Sequence, residues 1–275
     1  MILPLSNRRG RTGLLLLSAL AVLIAIALSG ALLGGRAMET DFTRLNLAPG
    51  PSAPLGTDWM GRDMLSRTLA GLSLSIRIGA LTACVSAAIA LVLGVAAALD
   101  RKADALLSWC VDLVMGVPHI LLVMLISLAF GRGFLGVVAG VSLSHWPSLA
   151  RVVRGEVLQL RQAPYLRAAE KLGVPRLRIV RRHLLPHLLP QFLTGLILQF
   201  PHAILHEASV TFLGFGLSSE QPAIGVILSE SMSYLTTGKW WLSLFPGLAL
   251  VGTVALFAVL GERLRRLLDP ASIHQ

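Results

Sequence analysis

Residues 12–35 read TGLLLLSALAVLIAIALSGALLGG, a run without a single charged side chain. A helix rises about 1.5 Å per residue, so about 20 apolar residues cross the roughly 30 Å hydrocarbon core of a bilayer. Arg8, Arg9 and Arg11 precede the run, as basic residues precede the apolar core of a signal peptide. The run is about twice the usual length of a signal-peptide core and lacks a convincing A-x-A cleavage site. It therefore predicts a retained first membrane-spanning helix.

Five further apolar stretches follow, at about residues 74–99, 104–130, 134–150, 188–217 and 241–260. Composition agrees with them, because 55% of the 275 residues are hydrophobic and only 14% are charged, against about 25% charged in soluble domains. Short charged breaks at 100–102 and 131–133 predict tight turns between neighbouring spans. The sequence thus predicts an all-α integral membrane protein, one domain over residues 1–275 with six transmembrane helices.

The net charge of +10 would favour a nucleic-acid partner in a soluble chain. In a membrane protein the positive-inside rule explains it, because Lys and Arg accumulate on the cytoplasmic side. Seventeen of the 24 Lys and Arg residues lie before the first span, in the 100–104 turn, in the 151–187 segment or in the tail. Six lie in the other connections, and Arg77 lies inside the second span. This distribution predicts an inner-membrane protein with both termini cytoplasmic, a periplasmic loop over 36–73 and no nucleic-acid partner.

The longest polar interruption after the first loop is RVVRGEVLQLRQAPYLRAAEKLGVPRLRIVRRHLLPHLLP, residues 151–190, with nine Lys and Arg residues. Apolar residues such as Tyr165 and Leu172 recur at helical spacing, Gly173 is suited to ending a helix, and Pro175 is suited to starting another. The pattern predicts a helix, a bend and a second helix. On composition alone, an amphipathic helix pair lying on anionic lipid is an equally good interpretation.

The segment 151–190 resembles the EAA loop of importer-type ABC permeases, whose outline is Glu-Ala-Ala, three residues, Gly, nine residues, Ile, one residue, Leu-Pro. The alanines, the glycine and the Leu-Pro pair match, whereas Arg167 replaces the Glu and His183 replaces the Ile. The resemblance implies a coupling helix that docks on a cytoplasmic ATPase subunit. The residues expected to make that contact are Arg167, Ala168, Ala169, Glu170, Leu172 and Gly173.

Two more motifs resemble the dipeptide, oligopeptide and nickel branch of this family. Residues 55–67, LGTDWMGRDMLSR, are similar to LGTD-x-x-GRD-x-x-SR of the C-type subunit, and residues 209–216, SVTFLGFG, are similar to SFLGLG. The chain is identified as a member of that branch. The resemblance implies the type I importer permease fold, a second homologous permease, two ABC ATPases and an extracytoplasmic substrate-binding protein. Loop 55–67 has three open interpretations, namely a turn-rich structural loop, a contact with the partner permease, or a contact with the binding protein.

The sequence contains no G-x-x-x-x-G-K-[ST] motif, no nucleophile elbow and no H-E-x-x-H motif. It therefore predicts a subunit that is not an enzyme and holds no cofactor, with ATP and Mg bound by the partner ATPases. Two rival classes remain open at this point. One is a membrane-embedded metalloenzyme built on His202, His206 and Glu207, and the other is a passive channel.

Ionisable side chains inside spans are costly, so they tend to face cavities or partners and mark functional sites. His202 and His206 stand four residues apart, which puts both on one face of a helix about 6 Å apart. They are a candidate metal pair, because neutral imidazole suits Ni, Cu and Zn. The alternative is polar contact between helices. Asp112 and His119 are seven residues apart and are expected on one face, with a kink at Pro118. The full set of pathway candidates is His202, His206, Glu207, His145, Asp112 and His119.

The His-x-x-x-His spacing before the 209–216 motif resembles the nickel permease of this branch, and so does Ser144-His145-Trp146 at the end of the fourth span. The resemblance implies that the cargo is nickel or another transition metal, free or chelated. A dipeptide or oligopeptide is the alternative cargo. Affinity in such systems resides chiefly in the separate binding protein, so this chain alone does not fix the cargo.

Overall fold

The computed structural model describes residues 8–268, and residues 1–7 and 269–275, the two ends of the predicted single domain, lie outside the described residues. The prediction of an all-α protein is confirmed, since residues 8–268 form helices and no strand. The helices are α1 Arg8–Leu32, α2 Met64–Leu99, α3 Arg101–Gly116, α4 His119–Ala129, α5 Gly133–Leu160, α6 Pro164–Lys171, α7 Arg176–Ile179, α8 Leu185–Phe212, α9 Ile224–Leu235 and α10 Trp241–Leu268. A 3₁₀ turn, Arg36–Met38, follows α1, and a π-helical turn, Val180–Leu184, joins α7 to α8.

Four helical segments in the described part of the chain are long and apolar enough to cross a membrane: Thr12–Leu32, Met64–Leu99, Arg176–Phe212 and Trp241–Leu267. The bent pair α3 and α4 would make a fifth. Helix α5 has 28 residues, but its polar and basic residues keep it out of that set. The arrangement of six spans therefore stays a prediction.

Two predicted loop boundaries are wrong by about ten residues each. Helix α2 begins at Met64, where the Asp63 side chain accepts a hydrogen bond from the Ser66 backbone N–H at 2.8 Å, so the first loop ends well before residue 73. Helix α5 continues to Leu160, so the polar segment predicted from residue 151 begins inside a helix. Hydropathy detects contact with lipid, and both helices extend beyond their apolar parts.

The predicted third span is interrupted at Pro118, and α3 and α4 meet at an angle of 99°. Proline lacks a backbone N–H and disfavours the helical conformation of the residue before it, and Val117 is accordingly extended, with φ −96° and ψ 137°. The expectation that Asp112 and His119 share one helix face is therefore wrong. Asp112 points outward, with 74% of its side chain exposed, and pairs with Arg151 at 3.0 Å.

Helix α2 lies at the centre of the molecule and packs against α1, α5 and α8. Its inner face is rich in small buried residues, including Ala83, Ala87 and Ala90, which let neighbouring helices approach closely. The contact with α5 is tight enough to require glycine at position 94, because a Cβ atom there would lie 2.8 Å from the carbonyl oxygen of Ala150. Helices α5 and α8 therefore both pack on α2, and they also contact each other.

The motif at 55–67 folds into a buried charge cluster, formed by Asp58, Arg62, Arg67 and Glu230. The Asp58 carboxylate accepts from Arg62 Nε at 2.6 Å and from Arg67 Nη1 at 2.5 Å, and Glu230 on α9 accepts from both arginines at 3.0–3.1 Å. The Arg67 side chain is only 1% exposed. Of the three interpretations of this loop, the structural one accounts for these residues.

Candidate functional site

A cavity of about 680 Å³ lies where the break between α3 and α4 meets α5 and α8. Its wall is largely apolar and is lined by valine, leucine, methionine, glycine and proline residues. Polar side chains are gathered on one part of the wall: His119, Ser144, His145, Ser148, Gln199, His202 and His206. A mainly apolar cavity with a few convergent polar groups is the usual form of a small-molecule site. Interrupted helices at membrane depth are likewise tolerated where they line a cavity.

Three histidines from three helices meet in this wall, namely His119 of α4, His145 of α5 and His206 of α8. Their ring centroids lie 4.3–4.9 Å apart in edge-to-face arrangements. One ring nitrogen from each lies within 4.8 Å of the corresponding nitrogens of the other two. We call these residues the histidine cluster.

The predicted pair His202 and His206 is arranged differently from the expectation. His206 belongs to the histidine cluster. His202 lines the same cavity one helical turn away, but within the described residues it is not part of the cluster. The backbone carbonyl of His202 accepts a hydrogen bond from His206 Nδ1 at 2.7 Å. The shared helix face is therefore present, but the partners of His206 come from other helices.

Glu207 faces away from the cavity. Its carboxylate is fully buried and accepts hydrogen bonds from Ser75 at 2.6 Å and from Thr211 at 3.1 Å. The structure thus separates Glu207 from the imidazoles, and it also places Asp112 away from the cavity lining. The three residues of the metalloenzyme alternative are not brought together.

Gln199 is a cavity residue that the sequence reasoning missed. Within the described chain, neither its Oε1 nor its Nε2 atom has a hydrogen-bond partner, and both atoms are buried. An amide in this state offers one acceptor and two donors to a ligand. The signal was available, because Gln199, His202 and His206 follow the i, i+3, i+7 spacing of one helix face.

The segment after α5 has the predicted form of a helix, a bend and a helix. Helix α6 ends in a Schellman motif, in which the Gly173 N–H bonds to the Glu170 carbonyl and the Val174 N–H bonds to the Ala169 carbonyl, both at 3.1 Å. Gly173 has φ +75°, a conformation that glycine adopts readily and other residues rarely do. The turn fixes the direction in which the chain returns to α7.

Most of the predicted coupling residues lie on the surface of this segment. Arg167, Ala168, Glu170, Leu172 and Gly173 are exposed, whereas Ala169 is half-buried and packs toward the core with Val174. Leu172 is 83% exposed. Two other apolar side chains nearby, Tyr165 and Leu177, are also more than half exposed. An exposed apolar patch rimmed by charged groups is typical of a protein interface.

Arg161 fastens this segment to the end of α2. Its Nη1 atom donates to the Ala98 carbonyl at 2.6 Å, and its Nη2 atom lies 3.6 Å from Glu170 on α6. Leu166, which is 2% exposed, fills the space beneath α6 in the same core as Leu184 and Leu188. Helix α6 is therefore held firmly from below while its outer face stays free.

Comparison with known proteins assigns the chain to a family. Residues 90–274 match the model of the family described as binding-protein-dependent transport system inner membrane component. The chain belongs to this family. It is the permease subunit of an ABC importer, and so a transport protein rather than a catalytic enzyme.

The curated relatives of the permease cover nearly its whole length. A putative peptide transport system permease protein from Brucella abortus is 36% identical over 264 residues, which is 96% of this chain and 88% of the relative. The dipeptide transport system permease protein DppC of Bacillus subtilis is 30% identical over 96% of this chain and 82% of its own length. The glutathione transport system permease protein GsiD of Pectobacterium atrosepticum is 33% identical over 84% of this chain and 76% of its own length.

A solved structure shares the fold of the permease. A chain of the MetNI methionine ABC transporter, in an inward-facing conformation, aligns with a TM-score of 0.59 and 19% identity, over 75% of this chain and 98% of the other. The likeness supports the type I importer permease fold. The three curated relatives are named as peptide, dipeptide and glutathione permeases.

Proposed function

We propose that this permease imports a dipeptide or another short peptide-like molecule. The observation that carries the proposal is the set of relatives with 30–36% identity over 96% of the chain, which are named as peptide or dipeptide permeases. The cavity is compatible with such a cargo, because its volume of about 680 Å³ is within the range of small-molecule sites. Gln199 would hydrogen-bond the amide group that every peptide carries.

The permease is proposed to work with a second, homologous permease, two ABC ATPases and an extracytoplasmic binding protein. With both termini cytoplasmic, α6 lies on the ATPase side of the membrane. Docking would bury the exposed Leu172 side chain, and the firm attachment of α6 through Arg161 would transmit ATPase closure to α2 and α5. Anionic lipid would then contact the remaining basic side chains of residues 151–190.

A transition metal, free or chelated, is the second candidate cargo. The observation in its favour is the histidine cluster in the cavity wall, because imidazole nitrogen is a common ligand of Zn, Cu and Ni. Histidines within membrane-spanning segments are rare and usually mark a functional site.

Reconstituted transport separates the two cargoes. The permease and its partners are placed in proteoliposomes, and uptake of a labelled dipeptide is measured in competition with unlabelled dipeptides, nickel ions and nickel chelates. ATP-dependent dipeptide uptake that unlabelled dipeptides inhibit supports the proposal, and absence of dipeptide uptake by an active complex overturns it. Gln199→Leu is expected to raise the dipeptide concentration that gives half-maximal uptake at least severalfold. Gln191→Leu, an exposed position on the same helix, serves as the matched control and is expected to leave uptake unchanged.

A further inference from the structure

We propose that His119, His145 and His206 form a binding site for a divalent transition metal of the Ni, Cu and Zn group. One ring nitrogen from each residue would be a ligand. The inference deepens the second candidate cargo, and it rests on contacts within this chain.

The distances between the rings bring the site close to metal-binding geometry. Three nitrogens that lie 4.8 Å apart surround a central point at about 2.8 Å from each, and the nitrogen to zinc distance is about 2.0–2.1 Å. Because 4.8 Å is the upper limit of the separations, a movement of about 0.7 Å or less per ring completes the coordination. Such a shift is within reach of side-chain rotation, and the three helices already supply ligands from three directions.

The hydrogen bonds of two rings determine which nitrogen is free. His145 Nδ1 donates to the Val141 carbonyl at 2.8 Å, and His206 Nδ1 donates to the His202 carbonyl at 2.7 Å. A neutral imidazole carries one proton, so Nε2 of each ring keeps its lone pair. Metal-binding histidines commonly have this arrangement, in which a backbone carbonyl holds one nitrogen and the metal takes the other.

Two nitrogens of the cluster are buried without any protein partner. Among residues 8–268, no group forms a hydrogen bond to His145 Nε2 or to His119 Nδ1. Leaving a buried polar atom unpaired is unfavourable. Edge-to-face packing of the rings gives these two nitrogens no hydrogen-bond partner, whereas one shared metal ion would bind them both.

The cavity leaves a coordination position for a non-protein ligand. A site with three protein ligands and an open fourth position is the pattern of metal centres that exchange ligands, whereas purely structural zinc sites are closed by four. Here the fourth position faces a volume of about 680 Å³, much larger than one water molecule. The cluster would therefore accept a metal that carries one non-protein ligand in this position.

Metal titration of the assembled transporter tests the site. Co²⁺ is added to the permease complex in nanodiscs, and the visible absorption bands of tetrahedral Co²⁺ are followed, with Zn²⁺ competition to obtain affinities. We expect saturable binding at one site per chain, and at least a tenfold weaker affinity in each of His119→Ala, His145→Asn and His206→Ala. His202→Ala removes an imidazole from the same cavity but not from the cluster, so it is expected to leave the affinity unchanged.

Two results would overturn the metal site. One is the absence of saturable Co²⁺ or Zn²⁺ binding to the intact complex, and the other is binding that persists unchanged in all three cluster variants. If a variant does not fold, X-ray absorption of the wild-type complex loaded with Zn²⁺ decides, since the proposal requires three nitrogen ligands of imidazole type. Dipeptide uptake by the wild-type preparation tells the two proposals apart, because absence of metal binding with uptake intact overturns the metal site alone.

Discussion

Asp58→Asn is expected to destabilise the permease strongly, because it removes a carboxylate from the buried charge cluster. Asp58 accepts from Arg62 and Arg67, whose side chains are only 4% and 1% exposed. Without Asp58, two buried guanidinium groups share the single carboxylate of Glu230 at 3.0–3.1 Å. Breaking a buried ion pair by removing one partner costs about 3–5 kcal/mol, because the remaining charge is left uncompensated.

The predicted shift is large enough for a thermal assay on purified protein in detergent. At roughly 2–4 °C per kcal/mol for a chain of about this size, the expected decrease in melting temperature is roughly 6–20 °C. The matched control is Glu262→Gln, which breaks an exposed ion pair to Arg266 at 2.8 Å. Exposed pairs contribute about 0.2–1 kcal/mol, so the control is expected to melt near the wild type.

A double variant checks that charge balance is the cause. Asp58→Asn combined with Arg62→Gln leaves one arginine and one glutamate in the cluster, so it is expected to be more stable than Asp58→Asn alone. Residues in one ion-pair network couple in this non-additive way. The reasoning would be refuted by an Asp58→Asn protein that melts with the Glu262→Gln control, or by a double variant whose losses simply add.

Three more changes test other parts of the molecule. Gly173→Leu is expected to leave the protein inserted but to uncouple ATP hydrolysis from uptake, since a left-handed conformation costs a side-chain residue about 1–2 kcal/mol; unchanged uptake in proteoliposomes would contradict this. Leu172→Asp is expected to reduce co-purification of the ATPase at least severalfold, and equal recovery would place the interface elsewhere. Glu207→Leu leaves the hydroxyls of Ser75 and Thr211 without their acceptor, at about 1–3 kcal/mol, so its melting temperature is expected to fall below that of Glu207→Gln.

The sequence predicts the position of a helix well where contact with lipid requires a long apolar run. The apolar runs located α1, α8 and α10 to within several residues. The first turns of α2 and the last ten residues of α5 were not found, because they are polar and are stabilised by a cap and by packing against other helices. Pro118 was recognised as a disruption, but the angle of 99° depends on tertiary contacts that no local pattern encodes.

The sequence predicts which histidines belong to the candidate site, but it does not predict which of them contact each other. Helical spacing correctly placed His202 and His206 on one face, and His119 and His145 were also among the candidates. Which imidazoles meet is decided by the packing of α4, α5 and α8, and that information lies between segments that are distant in sequence. The same holds for Glu230, which lies 168 positions from its partner Arg62.

Helix α2 ties together features that lie at its opposite ends. Its 36 residues extend for about 54 Å at 1.5 Å per residue, well beyond the roughly 30 Å hydrocarbon layer. One end carries Arg67, and the carbonyl of Ala98 at the other end is held by Arg161. A rigid tilt of this single helix would displace loop 55–67 and the segment around α6 in one movement. Events at the two ends would then be linked mechanically, with no relay of intermediate rearrangements between them.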